Sequence, residues 1–179
     1  FACPAGLFLA YEEGGWVMAS SRHGLDLNRN FPVHWTPFSQ FGMDGGEYPL
    51  SEPESRAVLE ALHARPNVCA VITNHTYTGA LLTAPYRADT PLSHWDLETL
   101  HGIARELVAG TGYKVYKVFP EFQYEPGKTT PGVWADYLGT NRGIVAYTLE
   151  LWDPYGFAGV EITDPAKSFV RPEPEAIRT

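Results

Sequence analysis

Three ionisable side chains stand in apolar surroundings, where such groups are uncommon. His75 closely follows an apolar run over residues 68–73, Glu150 lies inside another over residues 144–151, and Arg29 follows a short apolar stretch. Burying a carboxylate without a partner is costly, so Glu150 calls for an explanation. In open α/β sheets, ligands bind beyond the C-terminal ends of the strands. The two runs are therefore predicted to place His75 and Glu150 where a ligand would bind.

Each of these residues also has a purely structural explanation. A His near a strand end is often a partly buried, hydrogen-bonded residue. A Glu within a strand can form an ion pair or reach solvent, and Arg29 can be a surface charge or half of a structural ion pair. From the residue types alone, a functional and a structural role are both possible for each residue. The sequence motifs around these residues decide between the two roles.

Four short motifs contain or flank these residues. Residues 24–32 read Gly-Leu-Asp-Leu-Asn-Arg-Asn-Phe-Pro, and residues 49–54 read Pro-Leu-Ser-Glu-Pro-Glu. Residues 73–77 read Thr-Asn-His-Thr-Tyr, and residues 147–151 read Tyr-Thr-Leu-Glu-Leu. In this order and at these separations they resemble the motifs of M14 zinc carboxypeptidases, the carboxypeptidase A family. One short motif is weak evidence, but four in register make a specific match.

The resemblance implies a role for each matching residue. His75 corresponds to one of three zinc ligands, a neutral imidazole. Asn28 and Arg29 correspond to the pair that binds the substrate's C-terminal carboxylate, and a guanidinium suits this because it offers two parallel charge-assisted bonds. Glu150 corresponds to the general base that takes a proton from a zinc-activated water. The implied activity is hydrolysis of the C-terminal peptide bond of a peptide with a free carboxylate.

Two further roles and a substrate preference follow from the same resemblance. Tyr124 corresponds to a mobile Tyr that closes over bound substrate. Its distance from the later Asp136-Tyr137 pair is longer than in the animal enzymes, so packing within a loop remains an alternative. Arg22 corresponds to the Arg that stabilises the oxyanion. Because residues 133–135 carry no charge, we expect neutral or apolar C-terminal side chains rather than Lys or Arg.

The sequence departs from the family pattern at the zinc site. The family's other two ligands come from a His-x-x-Glu motif upstream of the Asn-Arg pair, and none of the six His residues here has Glu three positions later. A catalytic zinc needs three protein ligands, of which this chain supplies His75. We expect a domain incomplete at its N-terminus. The alternatives are a metal-free relative that binds peptide C-terminal carboxylates without catalysis, and a family member that acts on D-amino acid or γ-glutamyl bonds.

The candidate site residues are predicted to lie on or beside alternating strands and helices. The run over 68–73 is typical of a strand buried on both faces, and 144–151 is predicted as a second strand. A helix is expected after Ser51, where Ser51 and Glu54 have capping-box spacing and Pro53 suits the first turn. The other predicted elements are a helix over 97–109, an edge or half-exposed strand over 113–119 and a short helix over 132–138. This alternation predicts an α/β fold with a mixed sheet and helices on both faces, a three-layer α/β/α arrangement.

The rest of the chain adds little regular pattern. Residues 1–24 are expected to be mostly irregular, residues 32–50 to form a long loop, and residues 164–179 to form a surface tail. Residues 1–179 are taken as one domain.

Composition excludes several classes of partner. The net charge of −8 and the absence of a basic stripe argue against nucleic acids and anionic membranes. No apolar run approaches the roughly 18 residues of a membrane span. Half a sheet would expose apolar strand edges, which predicts oligomers that form through such an edge.

Overall fold

The computed structural model describes six segments of the chain. They are residues 8–12, 15–18, 25–37, 45–76, 78–123 and 126–151. The predicted tail over 164–179 lies outside them.

Two short strands form a hairpin near the start of the chain. β1 (Phe8–Glu12) pairs antiparallel with β2 (Gly15–Met18). The prediction of mostly irregular structure over residues 1–24 missed this hairpin, and the other residues of that range lie outside the described segments. Strands of four and five residues are too short to show a clear period in the sequence.

A four-stranded mixed sheet forms the centre of the described structure. Its strands are β3 (Ala70–Thr76), β4 (Ala80–Thr83), β5 (Lys114–Lys117) and β6 (Val145–Leu151), in the order β3-β6-β4-β5. β6 is parallel to β3 and antiparallel to β4, and β4 is parallel to β5. The predicted mixed sheet is confirmed, with β5 at one edge as expected. The sequence analysis did not identify β4.

Helices cover both faces of this sheet. They are α1 (Pro53–His63), α2 (His94–Leu107), α3 (Val118–Glu121) and α4 (Trp134–Arg142). Successive residues of β6 face opposite sides. Ala146 packs in the core cluster that contains the α4 residues, whereas Tyr147 faces α2 and its hydroxyl donates to the Leu100 carbonyl at 2.9 Å. The predicted three-layer arrangement is confirmed.

The starts of α1 and α2 differ from the predictions. Pro53 opens α1 as expected, but Glu52 is the N-cap residue and its side chain makes no capping bond. The capping box predicted from Ser51 does not form, because the N-cap residue is Glu52 and the Ser51 hydroxyl oxygen accepts instead from Asn30 Nδ2 at 3.0 Å. α2 does have a capping box, formed by Ser93 and Asp96, so it begins three residues before its predicted start.

β3 is an edge strand of the described sheet. The prediction of a strand buried on both faces is wrong, since Ile72 is 50% exposed. Within the described residues, β3 bonds to β6 on one side only. An exposed edge of this kind is where the predicted oligomer would form, and that oligomer stays a prediction. No helix in these segments is both long and apolar enough to cross a membrane.

Candidate functional site

His75 and Glu150 meet at one end of the sheet. They are register partners in the parallel pair β3–β6, near the C-terminal end of each strand. Register partners on neighbouring strands, about 4.8 Å apart, direct their side chains to the same face of a sheet. The structure thus brings together two residues that lie far apart in the sequence, as the sequence analysis expected of strand ends.

The segment that carries Arg29 folds as a capped turn. A short 3-10 helix covers Leu27–Arg29, and Asp26 caps it by accepting a bond from the Asn28 N–H at 2.9 Å. Arg29 Nη1 donates to the Asn28 carbonyl at 2.8 Å, and Nη2 lies 3.7 Å from Asp26 Oδ2. The side chain of Arg29 is thereby held by its own turn, and the residue is only 6% exposed.

Asn28 joins this turn to the start of α4. Its side-chain oxygen accepts a bond from the Trp134 N–H at 2.9 Å. The amide is thereby oriented, and its two N–H donors are directed away from that bond. The Phe31 ring packs on Trp134 with centroids 4.5 Å apart, which strengthens the same junction.

Asn30 anchors the turn to the segment before α1. The residue is fully buried, and the two N–H groups of its Nδ2 are shared among three acceptors, the carbonyls of Gly45 and Tyr48 and the Ser51 hydroxyl. Its Oδ1 accepts from the Glu52 N–H at 3.2 Å. Two of the motifs quoted above are therefore halves of one hydrogen-bonded unit, a structural role that the sequence analysis did not assign.

Gly132 lies against the backbone of Arg29. Its φ of +64° favours glycine, and an added Cβ would lie 2.1 Å from the Arg29 carbonyl oxygen. Gly132 also accepts from the Phe31 N–H at 3.1 Å and donates to the Val33 carbonyl at 2.8 Å. These bonds hold the loop before α4 against the Arg29 turn.

Burial perturbs both ionisable groups at the strand ends. It raises the pKa of Glu150 to about 7, and the positive charge of Arg29 opposes this rise. Burial lowers the pKa of His75, an effect that Asp26 opposes and Arg29 reinforces. Near neutral pH, Glu150 can therefore both accept and release a proton, and His75 is neutral, the form of imidazole that binds metals.

His75 fits a metal ligand, but the described residues do not complete a metal site. Within them, no group of three or more His, Cys, Asp or Glu side chains could hold a metal ion. His75 contributes one neutral nitrogen donor on the same face as Glu150. Of the other residues singled out from the sequence, Arg22 and Tyr124 lie outside the described residues.

A second group of polar side chains lies buried on the same side of the sheet. We call it the Arg87–Asp136 cluster, and it consists of Tyr86, Arg87, Asp136 and Thr148. Arg87 Nε and Nη1 and Asp136 Oδ1 are buried without a hydrogen-bond partner, whereas the Tyr86 and Thr148 side chains lie within reach of each other. Burial raises the pKa of the Asp136 carboxyl to about 6, and the positive charge of Arg87 opposes this rise. In the sequence, Arg87 and Asp136 each stand as a charged residue within an apolar segment, but neither was assigned a role.

The buried carboxyl of Asp136 makes a test of stability possible. Its folded-state pKa of about 6 lies above the ordinary 3.8. The stability linked to this group is therefore complete below about pH 4 and is lost as the pH rises through about 6. Asp136→Asn removes the charge, so we expect the variant to exceed the parent by on the order of 2 kcal/mol at pH 8 and to match it near pH 4.

Urea unfolding at pH 4, 6 and 8 measures this difference. Glu106→Gln on the exposed side of α2 is the matched control, and we expect its difference from the parent to stay constant. A constant difference for Asp136→Asn as well would show that burial does not penalise the Asp136 charge.

Comparison with known proteins identifies the family. Residues 8–175 match the family model of zinc carboxypeptidases, the M14 peptidases. The chain belongs to this family. It is 30% identical over 151 residues to carboxypeptidase A5 of Macaca fascicularis, covering 75% of this chain and 32% of that protein. It is also 30% identical over 161 residues to carboxypeptidase O of Bos taurus, covering 79% of this chain and 41% of that protein.

Two solved structures share the fold. The crystal structure of thrombin-activatable fibrinolysis inhibitor aligns with a TM-score of 0.60 and 28% identity, covering 80% of this chain and 36% of that one. The bovine form, solved with a tick carboxypeptidase inhibitor, aligns with a TM-score of 0.61 and 27% identity, covering 80% of this chain and 49% of that one. The chain thus spans about a third to two fifths of the length of the curated relatives it matches.

Proposed function

We propose that this chain forms part of a zinc-dependent metallocarboxypeptidase that hydrolyses the C-terminal peptide bond of peptides. One observation carries the proposal. His75 and Glu150 are register partners at one sheet end, and the Arg29 guanidinium is close enough for its charge to act on the pKa of both. A metal ligand, a base and a carboxylate-binding cation in one place are the groups that such a reaction needs.

Arg29 and Asn28 would bind the substrate's terminal carboxylate. The bonds to the Asn28 carbonyl and the nearby Asp26 carboxylate orient the Arg29 guanidinium before substrate arrives. Preorganised donors lose little freedom on binding, so more of their interaction energy contributes to affinity. A site that requires a carboxylate restricts cleavage to the chain end. Tyr124 would close over the bound substrate, as the family resemblance implies.

Glu150 would act as the general base. It takes a proton from the water that attacks the scissile carbonyl carbon, and passes that proton to the departing amine nitrogen as the C–N bond breaks. A pKa of about 7 suits both transfers. Arg22 would stabilise the negative charge that develops on the carbonyl oxygen. Zinc, when bound by His75 and two further ligands, would lower the pKa of a water molecule and polarise the scissile carbonyl.

A second candidate function is binding of peptide C-termini without catalysis. It is favoured by the incomplete ligand set, since the described residues offer no group of three metal ligands. It predicts affinity for free-carboxylate peptides and no turnover when zinc is supplied. The pKa of Glu150, raised into the range of a working base, favours the enzyme.

Zinc stoichiometry tests the proposed metal site. After zinc loading and exhaustive dialysis, we expect the 179-residue chain to retain far less than one zinc, because one imidazole holds zinc weakly. The complete polypeptide from its host should retain about one zinc, and His75→Ala should remove it. The control, His63→Ala at the exposed end of α1, should leave it in place.

Two results would change this account. Tight zinc on the 179-residue chain, lost in His75→Ala, would place the remaining ligands among its residues outside the described segments. Full zinc retention by the His75→Ala variant of the complete polypeptide would remove His75 from the metal site.

A further inference from the structure

Asn30 directly follows Arg29 in the chain, and its side chain ties the Arg29 turn to residues 45–52. The residue is fully buried, and its Nδ2 lies 2.7 Å from the Gly45 carbonyl oxygen. Its own carbonyl accepts a bond from the Leu50 N–H, also at 2.7 Å. Leaving a buried carboxamide without partners is costly, so Asn30 and this segment hold each other in position.

The backbone of Arg29 lies between two glycines that belong to different loops. A Cβ added to Gly132 would lie 2.1 Å from the Arg29 carbonyl oxygen, and a Cβ added to Gly45 would lie 3.0 Å from it. Both loops can approach this closely because glycine has no side chain. The bond from Asn30 to the Gly45 carbonyl holds one of the two loops in place. The position of the Arg29 peptide therefore depends on Asn30.

Leu50, in the same segment, has a backbone conformation that L-residues rarely adopt. Its φ is +63°. Its N–H donates to the Asn30 carbonyl at 2.7 Å, and its own carbonyl accepts from Arg56 Nη1 at 2.9 Å. Such conformations persist where the surrounding contacts over-determine the backbone, and they cluster at functional sites. This strained residue lies where the segment is bonded to the residue after Arg29.

The Arg29 guanidinium is held by its own turn. It donates to the Asn28 carbonyl and lies beside the Asp26 carboxylate. A shift of the turn therefore moves the guanidinium relative to Glu150 on β6. In the proposed function one substrate spans these two groups, with its carboxylate at Arg29 and its scissile bond at Glu150. A misplacement of about 1 Å in such an arrangement can cost about 100-fold.

We propose that Asn30 is a positioning residue for binding of the substrate's C-terminal carboxylate. Because it is fully buried, it acts through the adjoining backbone of Arg29 and sets the place of the Arg29 guanidinium. The inference rests on the proposed function, which assigns the substrate carboxylate to Arg29. An Asn30 that only supported folding would affect ligands with and without a free carboxylate alike.

Asn30→Ser tests the proposal in the complete polypeptide, with Glu150→Gln present in every variant to prevent turnover. Ser has a shorter reach and no amide donors. Calorimetric titration compares benzoyl-glycyl-leucine with its C-terminal amide. We expect the acid to bind about tenfold more weakly than to Glu150→Gln alone, and the affinity for the amide to change by less than about twofold. Leu100→Ala, a control that removes apolar packing on α2, should change neither affinity.

A double-mutant cycle with Arg29→Met shows whether Asn30 acts through Arg29. Arg29→Met by itself should remove the preference for the acid, so adding Asn30→Ser should change the affinity for the acid by less than about twofold more. The proposal would be overturned by the same tenfold loss in the Arg29→Met background. Equal weakening of the acid and the amide by Asn30→Ser, or no weakening of the acid, would also overturn it.

Ser51→Ala gives an independent test if Asn30→Ser does not fold. It removes one of the three acceptors of Asn30 Nδ2, at a half-buried residue. The acid should bind this variant more weakly while the amide does not, and an unchanged affinity for the acid would overturn the proposal. If Arg29→Met removes the preference for the acid while Asn30→Ser and Ser51→Ala leave it intact, the proposed function stands and only this inference fails. If Arg29→Met leaves that preference intact, the carboxylate-binding role in the proposed function fails as well.

Discussion

Glu150→Gln should lower kcat about 10²- to 10⁴-fold in the zinc-loaded complete polypeptide, the effect expected when a general base is removed. Gln has the same shape as Glu but cannot take a proton from water. Zinc content and peptide binding should stay close to those of the parent, because Glu150 is assigned neither role. Steady-state kinetics with a C-terminal free-acid peptide measures the loss, and metal analysis measures the zinc.

The pH profile gives a second readout for Glu150. Because burial raises its pKa to about 7, the parent's kcat/KM should fall as the pH drops below that value and the base becomes protonated. The residual kcat/KM of Glu150→Gln should not show this fall at low pH. Loss through unfolding is not expected, since the variant removes a carboxylate whose charged form is disfavoured by burial.

A matched control distinguishes the loss of a general base from the general effect of removing one negative charge. Glu106→Gln makes the same chemical change on the exposed side of α2 and should leave kcat unchanged. Near-normal kcat in Glu150→Gln would disprove the general-base role. A loss of zinc in that variant would instead indicate that Glu150 belongs to the metal site.

Arg29→Met should abolish the preference for peptides with a free C-terminal carboxylate. In the parent, we expect the free acid to bind about 100-fold or more tightly than the same peptide amide. This ratio lies within the 2–5 kcal/mol typical of truncating one partner of a buried charge pair. Met keeps most of the apolar stem but has no donors, so the acid and the amide should bind it equally weakly. Calorimetric titration with the matched peptide pair measures both affinities.

Two further variants sharpen the test of Arg29. Arg29→Lys keeps the charge but loses the planar fork, so its preference for the acid should be intermediate. Arg142→Met at the exposed end of α4 should behave as the parent. Circular dichroism should accompany Arg29→Met, because the Asp26 carboxylate loses its partner there. Equal affinity of the parent for acid and amide would remove the carboxylate-binding role from Arg29.

Much of the candidate site could be predicted because it depends on strand ends. Two apolar runs followed or interrupted by single polar residues predicted strands, and parallel strands bring their C-terminal ends to one edge of a sheet. His75 and Glu150 meet there as register partners. The order of the four motifs predicted the family, and the match over residues 8–175 confirmed it.

Other features depend on pairings that a sequence pattern does not encode. The apolar run before His75 was expected to be buried on both faces, but β3 lies at an edge and Ile72 is half exposed. Ser51 has the spacing of a helix cap, yet it bonds to Asn30 because the turn that holds Arg29 packs against the start of α1. Local spacing cannot show which of two possible partners a hydroxyl will take.

By itself, the amino-acid sequence determined the family, the alternation of strands and helices, and the residue types available for chemistry. These follow from local patterns: apolar periodicity, cap and turn residues, and motif order. Only the tertiary structure decided which groups are buried together. Arg87 and Asp136 are remote in the chain, and each is unremarkable until the fold removes both from water on one face of the sheet. Burial, which depends on every neighbouring element at once, raises the pKa of both Glu150 and Asp136.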